Sequence, residues 1–191
     1  MSKGRWLKDP RALQQADKLY SFIGQYVIGF QWLESKIDEM FHLSDGNLNY
    51  QERLAWLVRH RVSDKSKQLR TLVLRDSPFR TSEIGGWNNK FELVMDRVDL
   101  ECVRRNSILH SHYLFDFLVI GAPIVQTHFE KKKKDQDGFA LNQTLLTEKR
   151  QIEILEELGI LSVDFGFCCT QLRFSCNLES VPAAAGIGEE I

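Results

Sequence analysis

A mainly α fold, a bundle of about four to five helices with a β-hairpin inserted late in the chain, is what this 191-residue sequence predicts. Three observations carry that expectation. Long stretches repeat apolar residues at three-and-four spacing, which is one face of an α-helix. The spacing changes to two after His112, the period of a strand. Between the stretches stand Asp-Gly-Asn, Ser-Pro and Gly-Gly, residues that turn a chain rather than extend it.

The first helix runs from about Pro10 to His42, with Leu19, Phe22, Ile23, Tyr26, Val27, Phe30, Leu33, Ile37, Met40 and Phe41 on one stripe, and Asp45-Gly46-Asn47 ends it. A second helical region opens near Gln51 with Leu54, Leu57, Val58, Val62, Leu69, Leu72 and Val73 turned inward; its other face is basic. Ser77-Pro78 and Gly85-Gly86 lead to a third helix, on which Trp87, Phe91, Val94 and Val98 point towards the core ahead of Arg105. Tyr113, Phe115, Phe117 and Val119 then alternate with their neighbours, Gly121-Ala122-Pro123 intervenes, and Ile124 to Phe129 completes a hairpin. Lys131 to Gly138 is a polar loop, and Thr147 is the N-cap of a last long helix. Ile154, Leu158, Leu161, Phe165, Cys168, Leu172 and Cys176 form the stripe of that helix. Residues 1–181 are expected to make a single domain, and residues 182–191, rich in Ala and Gly, a flexible tail.

Bulk properties say soluble and globular. Hydrophobic residues are 43% of the chain, charged residues 27%, and the net charge is -1, so global charge does not announce a nucleic-acid binder. Its distribution is uneven: residues 51–80 carry +5 and residues 148–191 carry -5. That asymmetry suits a molecule with one basic side for a polyanion. Cys102, Cys168, Cys169 and Cys176 include no C-x-x-C pair, which fits a reduced, cytoplasmic protein. Neither a signal-peptide run nor a stretch of about 20 apolar residues is present, so no membrane association is expected.

The chemistry-bearing segment is Arg105-Asn106-Ser107-Ile108-Leu109-His110. Arg is a permanent cation with a planar fork suited to phosphate oxygens, and His exchanges a proton near neutral pH. RNA supplies its own nucleophile, the 2′-hydroxyl, so an acid–base group and a cation at the phosphate suffice to cut it. His110 is the candidate acid or base and Arg105 the candidate electrostatic stabiliser. Asn106 stands four residues before His110, on the same helix face, to fix the imidazole or contact phosphate. On an unbroken helix Arg105 and His110 lie roughly 140° apart. Either the helix breaks near Arg105, or two chains share the site. His112, two turns from Arg105, is a second candidate proton shuttle.

The pattern R-N-x-x-x-H at the end of an amphipathic helix, followed by a short excursion and a closing helix, resembles the HEPN superfamily. In order of elements the resemblance spans roughly Arg11 to Leu178; only the six-residue motif is specific. It implies a metal-independent endoribonuclease that leaves 2′,3′-cyclic phosphate ends, needs no cofactor, and works as a homodimer in a toxin–antitoxin or phage-defence setting. In some relatives the second position after the histidine is a tyrosine that a partner nucleotidyltransferase modifies. Here His112 stands there and the tyrosine follows as Tyr113; a nucleotidyltransferase-like antitoxin remains the implied partner. The rival reading is a non-catalytic bundle of the same kind that binds RNA or protein.

Other segments admit two readings each. Arg59, Arg61, Lys65, Lys67 and Arg70 form either an RNA track or an ordinary exposed helix face. Lys131, Lys132, Lys133 and Lys134 form either a phosphate grip or a solvated loop. His110-Ser111-His112 has no acidic or cysteine cluster beside it in sequence, so no metal site is expected. The cysteines on the last helical stripe read as core.

Overall fold

Residues 5–44, 50–76, 85–131 and 139–175 are described by the computed structural model of the chain. Among the described residues are five α-helices and a small antiparallel sheet: α1 (Pro10–Ser44), α2 (Tyr50–Arg59), α3 (Val62–Thr71), α4 (Trp87–Leu109), β1 (His112–Leu114), β2 (Ile124–Lys131), β3 (Phe139–Leu146) and α5 (Glu148–Ser175). This is the mainly α bundle with a late hairpin that the periodicity predicts. Backbone contacts divide the chain into two compact units, one of Met1–Leu33 with Val98–Ser162, the other of Glu34–Arg97 with Val163–Ile191.

Local chemistry starts each long helix. Asp9 Oδ1 accepts from the backbone N–H groups of Arg11 at 2.8 Å and Ala12 at 3.4 Å, and Pro10 occupies the first helical position, where a missing N–H costs nothing. Gly86, at φ +71°, supplies the left-handed turn before Trp87. Thr147 Oγ1 accepts from Arg150 N at 3.2 Å, the N-cap bond expected for α5.

In the first unit Leu19, Phe22, Tyr26, Phe30 and Leu33 of α1, Val98, Cys102 and Ile108 of α4, and Ile154, Leu158 and Leu161 of α5 are buried. Gly29 lets α1 and α5 approach closely, since a Cβ there would lie 3.0 Å from the Leu158 side chain. In the second unit Ile37, Met40, Phe41, Leu57, Leu69, Phe91, Met95, Phe165 and Leu172 are buried. Stacking of Phe41 on Trp56 (4.9 Å) and of Trp87 on Phe91 (5.0 Å) supplements that core.

Two expectations about elements are corrected. The second helical region is two helices, because Arg61 is extended (φ -74°, ψ 156°) between α2 and α3; within α2 only Leu57 of the expected inward residues is buried, and Leu54 and Val58 are exposed rather than core-facing. The alternating segment after His112 gives only three residues of strand, then a 3₁₀ turn over Asp116–Ile120 that ends at Gly121 (φ +76°). The hairpin is instead β2 with β3, in the order β1-β2-β3, with Val125 opposite Leu145 and Phe129 opposite Leu141. β3 escaped notice because Asn142, Gln143 and Thr144 interrupt its apolar pattern. The tail at residues 182–191, Cys176 and the breaks at residues 45–47 and 77–78 lie outside the described residues.

Candidate functional site

α4 carries the motif to its C-terminal end. The helix continues unbroken through Leu109, and His110, in the following turn, still donates its backbone N–H to Asn106 O at 3.0 Å. Helix C-termini leave carbonyls unsatisfied, and here side chains take them up. Ser111 Oγ donates to Ser107 O, Gln126 Nε2 donates to the same carbonyl at 3.1 Å, and Tyr113 O–H donates to Ile108 O at 2.7 Å. Gln126 also reaches Ser107 Oγ at 3.3 Å and Ser111 Oγ at 3.0 Å. β2 is thereby tied to the last turn of α4, which fixes the backbone that carries His110.

Within the motif Asn106 and His110 are exposed and Arg105 is half-buried. Arg105 donates from Nη1 to Asn106 Oδ1 at 3.2 Å, and its guanidinium carbon stands 5.8 Å over the Phe30 ring. Among the described residues no carboxylate pairs with it. The preceding arginine is different in kind. Arg104 bridges Glu101 at 3.0 Å and Glu157 at 2.5 Å, and Arg150 reaches Glu157 at 3.2 Å. Beneath this network the Tyr26 hydroxyl donates to Glu101 Oε1 at 2.6 Å. Burial raises the Glu101 carboxyl above the usual glutamate range, and the Tyr26 bond and Arg104 offset that only in part. Burial also raises Glu157, but the bonds and charges of Arg104 and Arg150 outweigh it and hold this carboxyl below its usual range.

His112 is not a helical neighbour of Arg105. The helix has ended, and His112 opens β1, exposed and paired with Thr127. Tyr113 is half-buried, its phenol pushed up to about 12 by burial, with its hydroxyl spent on Ile108 O.

The expected basic track is reduced. Arg59, Arg61 and Lys67 are exposed, whereas Lys65 is only 4% exposed and pairs with Glu34 at 3.0 Å and Asp38 at 2.9 Å. Arg70 is half-buried and paired with Glu92 and, at 2.9 Å, Asp96. Charge counting along one segment could not see these carboxylates, which α1 and α4 bring from elsewhere in the chain. These five residues belong to the second compact unit and the Arg105 motif to the first. Lys131 closes β2; Lys132, Lys133 and Lys134 lie outside the described residues.

Sequence reasoning missed Phe30 beneath Arg105 and the Ser107, Ser111 and Gln126 cluster. A signal existed for the serines, which stand four residues apart at a helix end, where hydroxyls bond back to carbonyls. Gln126 gave none. A cleft lined by Gln15, Lys18, Ile124, Leu146, Glu148 and Gln151 contains no motif residue. Among the described residues no group of three or more His, Cys, Asp or Glu side chains is arranged to hold a metal ion, and no helix is long and apolar enough to cross a membrane.

Comparison with protein-family models, with curated proteins and with solved structures finds no match to this chain.

Proposed function

We propose that this chain is a cytoplasmic, metal-independent endoribonuclease in the manner of the HEPN ribonucleases its motif resembles. In this reading Arg105 and His110 act on RNA with Asn106 in support, a homodimer forms the site, and a toxin or defence role is held in check by a nucleotidyltransferase-like partner. One observation carries the reading. Of two adjacent arginines, Arg104 is committed to two carboxylates, while Arg105 has none among the described residues and lies against Asn106, one helical turn before the exposed His110. An arginine without a carboxylate keeps its fork for an anion from outside, and a phosphodiester matches it.

The chemistry follows from these groups. An imidazole takes the proton of the ribose 2′-hydroxyl, the 2′-oxygen bonds to phosphorus, and the bond from phosphorus to the 5′-oxygen breaks as that oxygen takes a proton from the imidazolium so formed, which restores the imidazole. Arg105 neutralises the equatorial oxygens as charge builds. The products are a 2′,3′-cyclic phosphate and a 5′-hydroxyl, and no step calls on a metal.

The test is incubation of purified protein with single-stranded RNA in excess EDTA, followed by end-group analysis. Cyclic phosphate ends are expected, with activity largely lost in His110→Ala and Arg105→Ala while helical circular dichroism stays unchanged. Strict dependence on magnesium or manganese, or full activity in both variants, refutes the proposal.

A further inference from the structure

The sheet has two unlike faces. Gln126 and Tyr113 turn to one of them and bond to the end of α4. Alternation and register place His112 and Leu114 of β1, Val125, Thr127 and Phe129 of β2, and Leu141, Gln143 and Leu145 of β3 on the other. Phe129 is 63% exposed and Leu141 opposite it 51%; Leu145 and Gln143 are exposed as well. An aromatic ring left that open on a sheet is a stacking surface seeking a flat partner.

A polar row crosses this apolar face. His112 pairs with Thr127, and Thr127 pairs with Gln143. Thr127 is only 7% exposed, and its hydroxyl has no hydrogen-bond partner among the described residues, which is uncommon for a buried polar group. His112 and Gln143, on either side of that buried hydroxyl, are exposed and offer the hydrogen-bonding atoms of the row to a ligand on the face. No register position on the face holds Asp or Glu, and Lys131, opposite Phe139, takes its last position on β2. The face therefore suits a polyanion that also carries planar, hydrogen-bonding rings.

Its position adds the last argument. β1 begins at His112, one row short of Phe129, and the chain at that corner is the turn that carries His110. We infer that this sheet face is a binding platform for unpaired RNA bases, with a base stacked on Phe129 and its edge read by His112 and Gln143, the exposed residues that flank Thr127. The inference rests on RNA being the substrate. It assigns the nucleotide beside the cut to residues outside the motif.

The experiment measures binding, not cleavage. The full-length His110→Ala chain is titrated against a labelled single-stranded RNA 10-mer by fluorescence anisotropy, alone and with Phe129→Ala, Phe129→Tyr or Ile152→Ala added. Base stacking on one aromatic residue predicts roughly a tenfold or greater loss of affinity for Phe129→Ala, retention for Phe129→Tyr, and no change for Ile152→Ala, an exposed residue of α5 outside the sheet. A Phe129→Trp variant adds a direct signature, since its fluorescence is quenched by the oligonucleotide and not by heparin, a polyanion without bases. Unchanged affinity in Phe129→Ala overturns the inference. So does a change in oligomeric state by light scattering without a change in RNA affinity, which assigns the face to a second copy of the chain. Cleavage by the chain with His110 intact, together with normal binding by Phe129→Ala, leaves the nuclease reading standing and removes the platform; base-dependent binding through Phe129 by a His110-intact chain that does not cleave does the reverse.

Discussion

The guanidinium of Arg105 stands 5.8 Å over the ring of Phe30, so the motif arginine is steered by an aromatic residue from α1, 75 positions earlier in the chain. Arg104, its neighbour, turns instead to Glu101 and Glu157. Adjacent residues on a helix point about 100° apart, and here that angle separates a structural arginine from a functional candidate.

The two arginines should therefore respond in opposite ways. Arg104→Ala strands the buried Glu101 carboxylate, and loss of one partner of a buried pair costs about 3 kcal/mol, seen as a lower Tm. Arg105→Ala loses a weak ring contact and an exposed hydrogen bond to Asn106, together worth about 1 kcal/mol or less, and should barely move the Tm. The proposed ribonuclease activity should reverse the order, because Arg105→Lys keeps the charge but loses the bidentate fork and should lower that activity at least tenfold. Equal thermal effects from Arg104→Ala and Arg105→Ala would contradict this division.

A pH dependence follows from Glu101. Its folded carboxyl lies above the usual glutamate range, because burial outweighs the Tyr26 bond and Arg104. Between the unfolded and the raised folded value the native state binds more protons than the unfolded state, so this group's contribution is fullest below the unfolded value and is lost as pH rises through the folded one. Glu157 is depressed and works oppositely, its stabilisation fading as pH falls through its folded value. Thermal melts across the acid range should show Glu101→Gln removing a component that declines with rising pH. An unchanged pH slope in that variant would show that Glu101 is not the source.

Lys65 and Lys67 separate burial from surface charge. Lys65→Ala leaves Glu34 and Asp38 facing each other without their cation, at a cost of roughly 3 kcal/mol, the low end for a buried pair because both carboxylates are about a third exposed. Lys67 is exposed, and Lys67→Ala should leave stability within about 0.5 kcal/mol of wild type. If the exposed residues form an RNA track, Lys67→Ala and Arg61→Ala flatten the salt dependence of RNA binding, whereas folded Lys65→Ala does not. Denaturant melts and binding isotherms at several salt concentrations measure both.

Most of the α architecture was legible because burial on a helix repeats on a fixed period. The stripe of Leu19, Phe22, Tyr26, Phe30, Leu33 and Ile37 is buried as read, as are Trp87, Phe91, Val94 and Val98 ahead of the motif. What failed were features set by tertiary partners. Nothing near Lys65 in sequence announces Glu34 and Asp38, and nothing local distinguishes Arg104 from Arg105. β3 was hidden for a related reason: it is an edge strand, and polar residues fall on both its faces, Asn142 and Thr144 on one and Gln143 on the other, so no alternation shows. In the candidate site the motif residues were legible and their supports, Phe30 and Gln126, were not, because the supports come from α1 and β2 and obey no local spacing.

The proposal of a shared site makes the sharpest geometric prediction. α4 does not break near Arg105, and the backbone bond from His110 to Asn106 keeps helical phase to the end of the motif. A helix break is therefore removed as a way to bring Arg105 and His110 together, and five residues of separation leave them roughly 140° apart. A two-fold axis offers the other route, since a patch placed against its own copy sets the arginine of one chain beside the histidine of the next. Arg105→Ala and His110→Ala chains, each inactive alone, are to be mixed after dissociation and allowed to reassociate. A dimer with one of each retains one complete pair, so activity should reappear and rise with the heterodimer fraction. Verified heterodimers without activity would assign a whole site to each chain, and a verified active monomer would exclude the shared arrangement altogether.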